Sequence, residues 1–137
     1  MQTDDKEILQ LIDVIAAAID SKKGERIVLA DFSDMVGIAS KYFVIAEGRS
    51  QPQVEAIAHE VGEQTRKKLG QKPFGVVGLE RCNWVVLDYG DVMVHLFQPA
   101  PRAFYDLEHL WSAPIRELKP TDDPTLPQIP MGGRRHD

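Results

Sequence analysis

The chain has 137 residues, 43% of them hydrophobic and 27% charged, which is the composition of one globular domain with a core of its own. Its formal charge of −5 is the wrong sign for a protein that grips phosphates, and its single cysteine, Cys82, excludes an intrachain disulfide. No apolar run approaches the roughly 18 residues of a membrane span, and the acidic start (Asp4, Asp5, Glu7) has no signal-peptide pattern, so a cytoplasmic location is expected.

The first predicted element is a helix from about Asp4 to Lys23. Ile8, Leu11, Ile12, Ile15 and Ile19 form its apolar stripe, Asp4 caps it and Gly24 stops it. Arg26–Asp31 and Tyr42–Ala46 are continuous apolar runs, which predict strands buried on both faces. Ser50 opens a second long helix. Gln53 three residues later completes a Ser-x-x-Gln capping box, Pro52 sits in the first turn, and Gly70 marks the end. Pro73–Val77 is a weaker third strand.

Trp84–Tyr89 and Asp91–Phe97 flank Gly90, which predicts a tight antiparallel hairpin. Alternation puts Val92, Val94 and Leu96 on one face and Met93, His95 and Phe97 on the other. A last helix is expected from Pro101 to Trp111, carrying Phe104, Leu107 and Trp111. From Pro114 prolines recur, so residues 119–137 read as a disordered tail after a single domain over 1–118. The expected fold is α/β (α+β): a mixed five-stranded sheet with two long helices on one face, a short C-terminal helix, and the opposite face free for a partner.

The chemistry-bearing residues are few. Gly48-Arg49-Ser50 stands at a strand-to-helix junction, where backbone N–H groups can hold a phosphate, as nucleotidyltransferases do beside two acidic metal ligands. The plainer reading is a turn glycine and a helix cap. Asp88 and Asp91 are the acidic pair at hand. Three residues apart across Gly90, they need not converge on a metal, and turn-stabilising roles suit them better. Cys82 has the look of an inert loop cysteine. His59, His95, His109 and His136 show no metal-ligand spacing, and Arg134-Arg135 is too short for a nucleic-acid patch. His95, on the face of Met93 and Phe97, is expected to be a half-buried sheet residue. Trp84, Tyr89, Phe97, Phe104, Tyr105 and Trp111 are many aromatics for a small core, and aromatics anchor interfaces.

Tyr42-Phe-Val-Ile-Ala46, Gly48-x-Ser50, the run from Trp84 to Phe97 and the run from Arg102 to Trp111 closely resemble the Iojap, or ribosome-silencing-factor, family. The most specific parts are Leu87-Asp-Tyr-Gly-Asp91 with Val94-His95, and Phe104-Tyr-x-Leu-Glu-x-Leu-Trp111. Lys41 departs from the acidic residue usual before Tyr-Phe, and Val77 from the usual Glu before Gly78. The resemblance implies a fold similar to nucleotidyltransferases without their catalytic carboxylates. It also implies a protein that is not an enzyme and has no cofactor or metal.

By the same resemblance the chain binds a ribosomal protein, the fourteenth in the large-subunit naming, at the intersubunit face. Bound there it blocks joining of the small subunit and represses translation under nutrient limitation. Little or no direct rRNA binding and no membrane are expected, and a monomer or weak homodimer. Resemblance and residue type together put the partner-binding surface at Trp84, Tyr89, Asp91, Met93 and His95, with Arg102 and Tyr105 at its margin. The alternative is a nucleotidyltransferase-like enzyme using the Gly48-Arg49-Ser50 loop.

Overall fold

A computed structural model of the chain describes residues 5–34, 40–106 and 114–118, the side chains of Phe104 and Tyr105 excepted. Asp4, residues 107–113 (with His109 and Trp111) and the tail from Lys119 onward lie outside the described residues.

Helix α1 runs Asp5–Ser21 and buries the predicted stripe of Ile8, Leu11, Ile12, Ile15 and Ile19. Its stop differs in mechanism from the expectation. Lys23 takes the left-handed conformation (φ 67°), while Gly24 is needed for room: a Cβ there would lie 2.3 Å from Ile19 Cγ2. Strand β1, Glu25–Asp31, pairs antiparallel with β2, Tyr42–Glu47, through a register shift between Glu25 and Val28. Both bury side chains on both faces, as continuous apolar runs should.

Helix α2, Gln51–Leu69, begins at Ser50, whose Oγ accepts from Gln53 N–H at 3.2 Å. The return bond of the box is displaced by one residue: Gln53 Oε1 accepts from Arg49 N–H at 2.7 Å. Gln53 Nε2 also donates to the carbonyls of Lys22 (3.1 Å) and Lys23 (2.9 Å), tying the start of α2 to the end of α1. Gly70 (φ 66°) closes α2, with its N–H on Arg66 O and that of Gln71 on Thr65 O. Strand β3, Gly75–Val77, follows, then β4, Trp84–Asp88, and β5, Val92–Phe97. Helix α3 spans Pro99–Tyr105. It starts two residues before the predicted Pro101 and is closed by Asp106 in the left-handed region (φ 49°); the remainder of the predicted span, to Trp111, lies outside the described residues.

The sheet has six strands in the order β3-β4-β5-β2-β1-β6, so the expected count of five is one short. The added strand is β6, Ile115–Glu117, paired antiparallel with β1. Three residues in a proline-rich stretch carry no alternation to read; the strand exists because β1 offers an open edge. Leu118, just beyond it, is buried in the main core, and its N–H donates to Ile27 O at 2.8 Å. Among the described residues only β2 and β5 are parallel, joined by the crossover through α2, and every other pair is antiparallel.

Both long helices cover one face. There the buried faces of α1 and α2 meet Ile27, Leu29, Val44, Ala46, Val85, Leu87 and the predicted set Val92, Val94 and Leu96. The opposite face carries a second, smaller cluster around Phe32, Phe43, Ile45 and Phe97.

Candidate functional site

That second face was expected to be free, and its centre is not. Phe43 meets Phe32 edge-on (ring centroids 4.7 Å apart) and His95 at 4.3 Å; Trp84 stacks on Phe97 at 5.2 Å. His95 is 5% exposed, buried rather than half-buried. Trp84 Nε1–H donates to His95 Nδ1 at 3.0 Å, which places the imidazole proton on Nε2. That N–H is buried and finds no acceptor among the described residues, and burial holds the His95 pKa down to about 4. His95 therefore stays neutral and serves as the acceptor that orients the indole.

Arg102 is also internal, 1% exposed. Its Nη1 donates to Arg26 O at 2.8 Å and lies 3.4 Å from the buried Glu47 carboxylate. It pins α3 to the start of β1 and the end of β2. Tyr89 lies in the core on the helix side, 7% exposed, with its hydroxyl 2.9 Å from Thr65 Oγ1. Three of the seven proposed contact residues, Tyr89, His95 and Arg102, thus present almost no area to a partner. The reason is shared: strand alternation and helix anchoring turn them inward. Tyr105 lies in α3, and its side chain is outside the described residues.

Trp84, Asp91 and Met93 remain half-exposed. The register brings further residues to them. Val86 stands opposite His95 and Asp88 opposite Met93, so both share the face of Trp84; Val77 stands opposite Val86. Val86 and Asp88 are half-exposed and Val77 is 62% exposed. The accessible surface is thus a strip over β3, β4 and the turn, running from apolar Val77, Val86, Trp84 and Met93 to acidic Asp88 and Asp91. Val77, Val86 and Asp88 were missed as members. The alternation Trp84-x-Val86-x-Asp88 was the available signal.

The enzyme-like features have structural uses. Ser50 caps α2, and the Arg49 guanidinium is held by Glu25 (2.7 and 3.1 Å). Asp88 accepts from Gly90 N–H at 2.8 Å, a turn bond. The Asp91 carbonyl accepts from the N–H groups of Lys41 (2.9 Å) and Tyr42 (3.0 Å). Among the described residues no group of three or more His, Cys, Asp or Glu side chains is placed to hold a metal ion. Cys82 is buried, and its thiol donates to Leu79 O. No helix among the described residues is long and apolar enough to cross a membrane.

A sequence model of the family described as "Ribosomal silencing factor during starvation" matches residues 5–135. The chain belongs to the ribosomal silencing factor family. It is 37% identical over 111 residues to a ribosomal silencing factor of Halalkalibacterium halodurans, covering 80% of this chain and 93% of that one. To the Bacillus subtilis ribosomal silencing factor it is 37% identical over 109 residues, covering 79% and 91%. The crystal structure of a Chromobacterium violaceum protein superposes with a TM-score of 0.72 at 33% identity, covering 83% of this chain and 90% of that one. The family name is that of a regulator of translation, and none of these relatives is named for a catalytic activity.

Proposed function

We propose that this ribosomal silencing factor acts by docking on the large ribosomal subunit, through a ribosomal protein at the intersubunit face, and excluding the small subunit by its bulk. The fourteenth large-subunit protein is the expected partner, as the family resemblance implies. The observation that carries the reading is the strip on the β3–β4 side of the sheet. Its centre is a half-exposed Trp84, held in one orientation by the stack on Phe97 and the bond to His95. An aromatic fixed in advance loses little conformational entropy on binding, which is what an interface anchor needs.

Asp88 and Asp91 at one end of the strip, and the net charge of −5, favour a basic protein over rRNA phosphates. Silencing by occupancy requires no bond to be made or broken. The Gly48-Arg49-Ser50 loop supports no competing reading, because its cap oxygen and guanidinium are engaged within the chain.

The test is co-sedimentation with purified large subunits in nucleotide-free buffer, together with a subunit-joining assay. Met93→Lys places a cation on the strip without opening the core, and is expected to stay folded and lose both activities. Trp84→Ala is expected to weaken pelleting at least thirtyfold, the order set by about 2 kcal/mol for an anchor. If both variants fold, pellet and block joining as the unaltered chain does, the docking surface is elsewhere.

A further inference from the structure

On the other side of the same sheet edge lies a groove of about 580 Å³ that the docking strip does not use. Ala58 and Gly62 of α2 and Leu87 of β4 form its floor, and Val76 and Leu79 its outer wall. Gly62 is the informative residue. Glycine in a helix interior weakens the helix relative to alanine. Here a Cβ would meet nothing within 4 Å, so no packing inside the chain requires its absence. The bare position deepens the groove.

The wall is a sheet edge. Strand β3 has β4 as its one neighbour, so among the described residues its outer side is unpaired. Gly75-Val76-Val77 contains no charge or proline, the usual protection of an edge. The exposed large apolar side chains among the described residues all fall on this segment: Phe74 (82%), Val76 (38%), Val77 (62%) and Leu79 (43%). The rim carries Glu55 and Glu60 against Lys22, while its third carboxylate, Glu63, is held by Arg66 at 2.9 Å.

We infer that this groove receives an extended, cationic segment of a partner protein, which adds to β3 as a further strand. The open edge supplies main-chain hydrogen bonds, and the side chains that point to the helix-covered face of the sheet meet the apolar floor and, as Lys or Arg, the carboxylates of α2 at the rim. The site shares strand β3 with the ribosome-docking strip but lies on the helix-covered side of the sheet, and the inference does not depend on the docking reading.

The probe is a fluorescein-labelled eight-residue peptide repeating Val-Val-Lys-Lys, which puts both residue types on each face of an extended strand, titrated with the full chain and followed by anisotropy. Saturable binding is expected, weakening as salt rises and accompanied by slowed amide exchange at Val76 and Val77. Gly62→Leu fills the groove and should weaken binding more than tenfold with an unchanged circular dichroism spectrum. Should that variant fail to fold, the Glu55→Lys/Glu60→Lys pair alters only the rim and should weaken binding by a similar factor.

The inference is overturned by absence of saturable binding, by equal binding to the same peptide with Glu in place of Lys, or by variants that bind as the parent does. Two other occupants would also overturn it. A dimer abolished by Gly62→Leu would make the occupant a second copy. Tenfold tighter peptide binding by a chain ending at Lys119 would make it the chain's own tail. No ribosome enters the assay, so its failure leaves the docking reading untouched.

Discussion

Two titratable side chains whose pKa values burial shifts give this protein opposed pH responses. His95 has a folded pKa near 4 against 6.5 when unfolded, because burial disfavours its charged form. The unfolded chain takes up that proton first, so stability is full above pH 6.5 and falls as pH drops towards 4. The loss is on the order of 3 kcal/mol at most. Asp13, whose Oδ1 is buried without a partner among the described residues, is raised by burial to about 6 from 3.8. Here the folded state takes up the proton first, so stability rises as pH falls from 6 to 3.8. Because Asp13 is partly exposed, about 1 kcal/mol is a fair discounted figure. Urea denaturation between pH 7 and 4 should therefore show a shallow decline in the parent and a steeper one in Asp13→Asn. Asp13→Asn should also be the more stable of the two at pH 7. Identical slopes would remove Asp13 from the account. Tyr89 gives a second residue-scale expectation. As a core side chain bonded to Thr65, it should cost about 3–5 kcal/mol on truncation to Ala, read as a lowered thermal midpoint. A folded Tyr89→Ala that had lost only ribosome binding would restore it to the interface.

At the scale of elements, the helices are specified locally and the edge strands are not. Ser50 and Gly70 announce the two ends of α2, and both perform the bonds their residue types suggest. Ser50→Ala should cost about 1 kcal/mol, a small fall in the denaturation midpoint. Strand β3 depends instead on one close approach. Gly78 has φ 93°, and a Cβ on it would lie 2.1 Å from the Trp84 carbonyl oxygen. Gly78→Ala is expected to push β3 off β4, which hydrogen exchange would report as lost protection at Val76 and Val77 with α1 unchanged. Protection retained at both would show that the loop absorbs the methyl group. Neither feature is visible in the run Pro73–Val77, which is why that strand read as weak.

For the molecule as a whole, the end of the fold is set by β6 and Leu118. A chain ending at Lys119 retains both and is expected to keep its thermal midpoint and its ribosome binding, although the family match extends to residue 135. A chain ending at Pro114 removes β6 and the buried Leu118, and should lose several kcal/mol of stability. Differential scanning of the two truncations separates these outcomes. A midpoint lowered equally by both would assign the stabilisation to the segment after Lys119.

Periodicity and local chemistry determined a great deal by themselves: both long helices with their apolar stripes, the doubly buried β1 and β2, the Gly90 hairpin and the two faces of β5. These are interactions within a few residues, or consequences of a side-chain period, and they need no knowledge of the partner element. The motifs also carried the family. Tertiary structure decided which aromatic is exposed. Trp84 opens β4 and Tyr89 directly follows it, with similar apparent claims, yet they face opposite layers. One is aimed outward by His95, eleven residues away, and the other is locked inward by Thr65 across the sheet–helix interface. The same holds for Arg102, which reads as a surface anchor and is buried because Glu47 and the Arg26 carbonyl lie beneath it. It holds too for β6, whose three residues become a strand only against the edge of β1. In each case the deciding partner is distant along the chain, so its contribution enters only once the sheet has brought the two together.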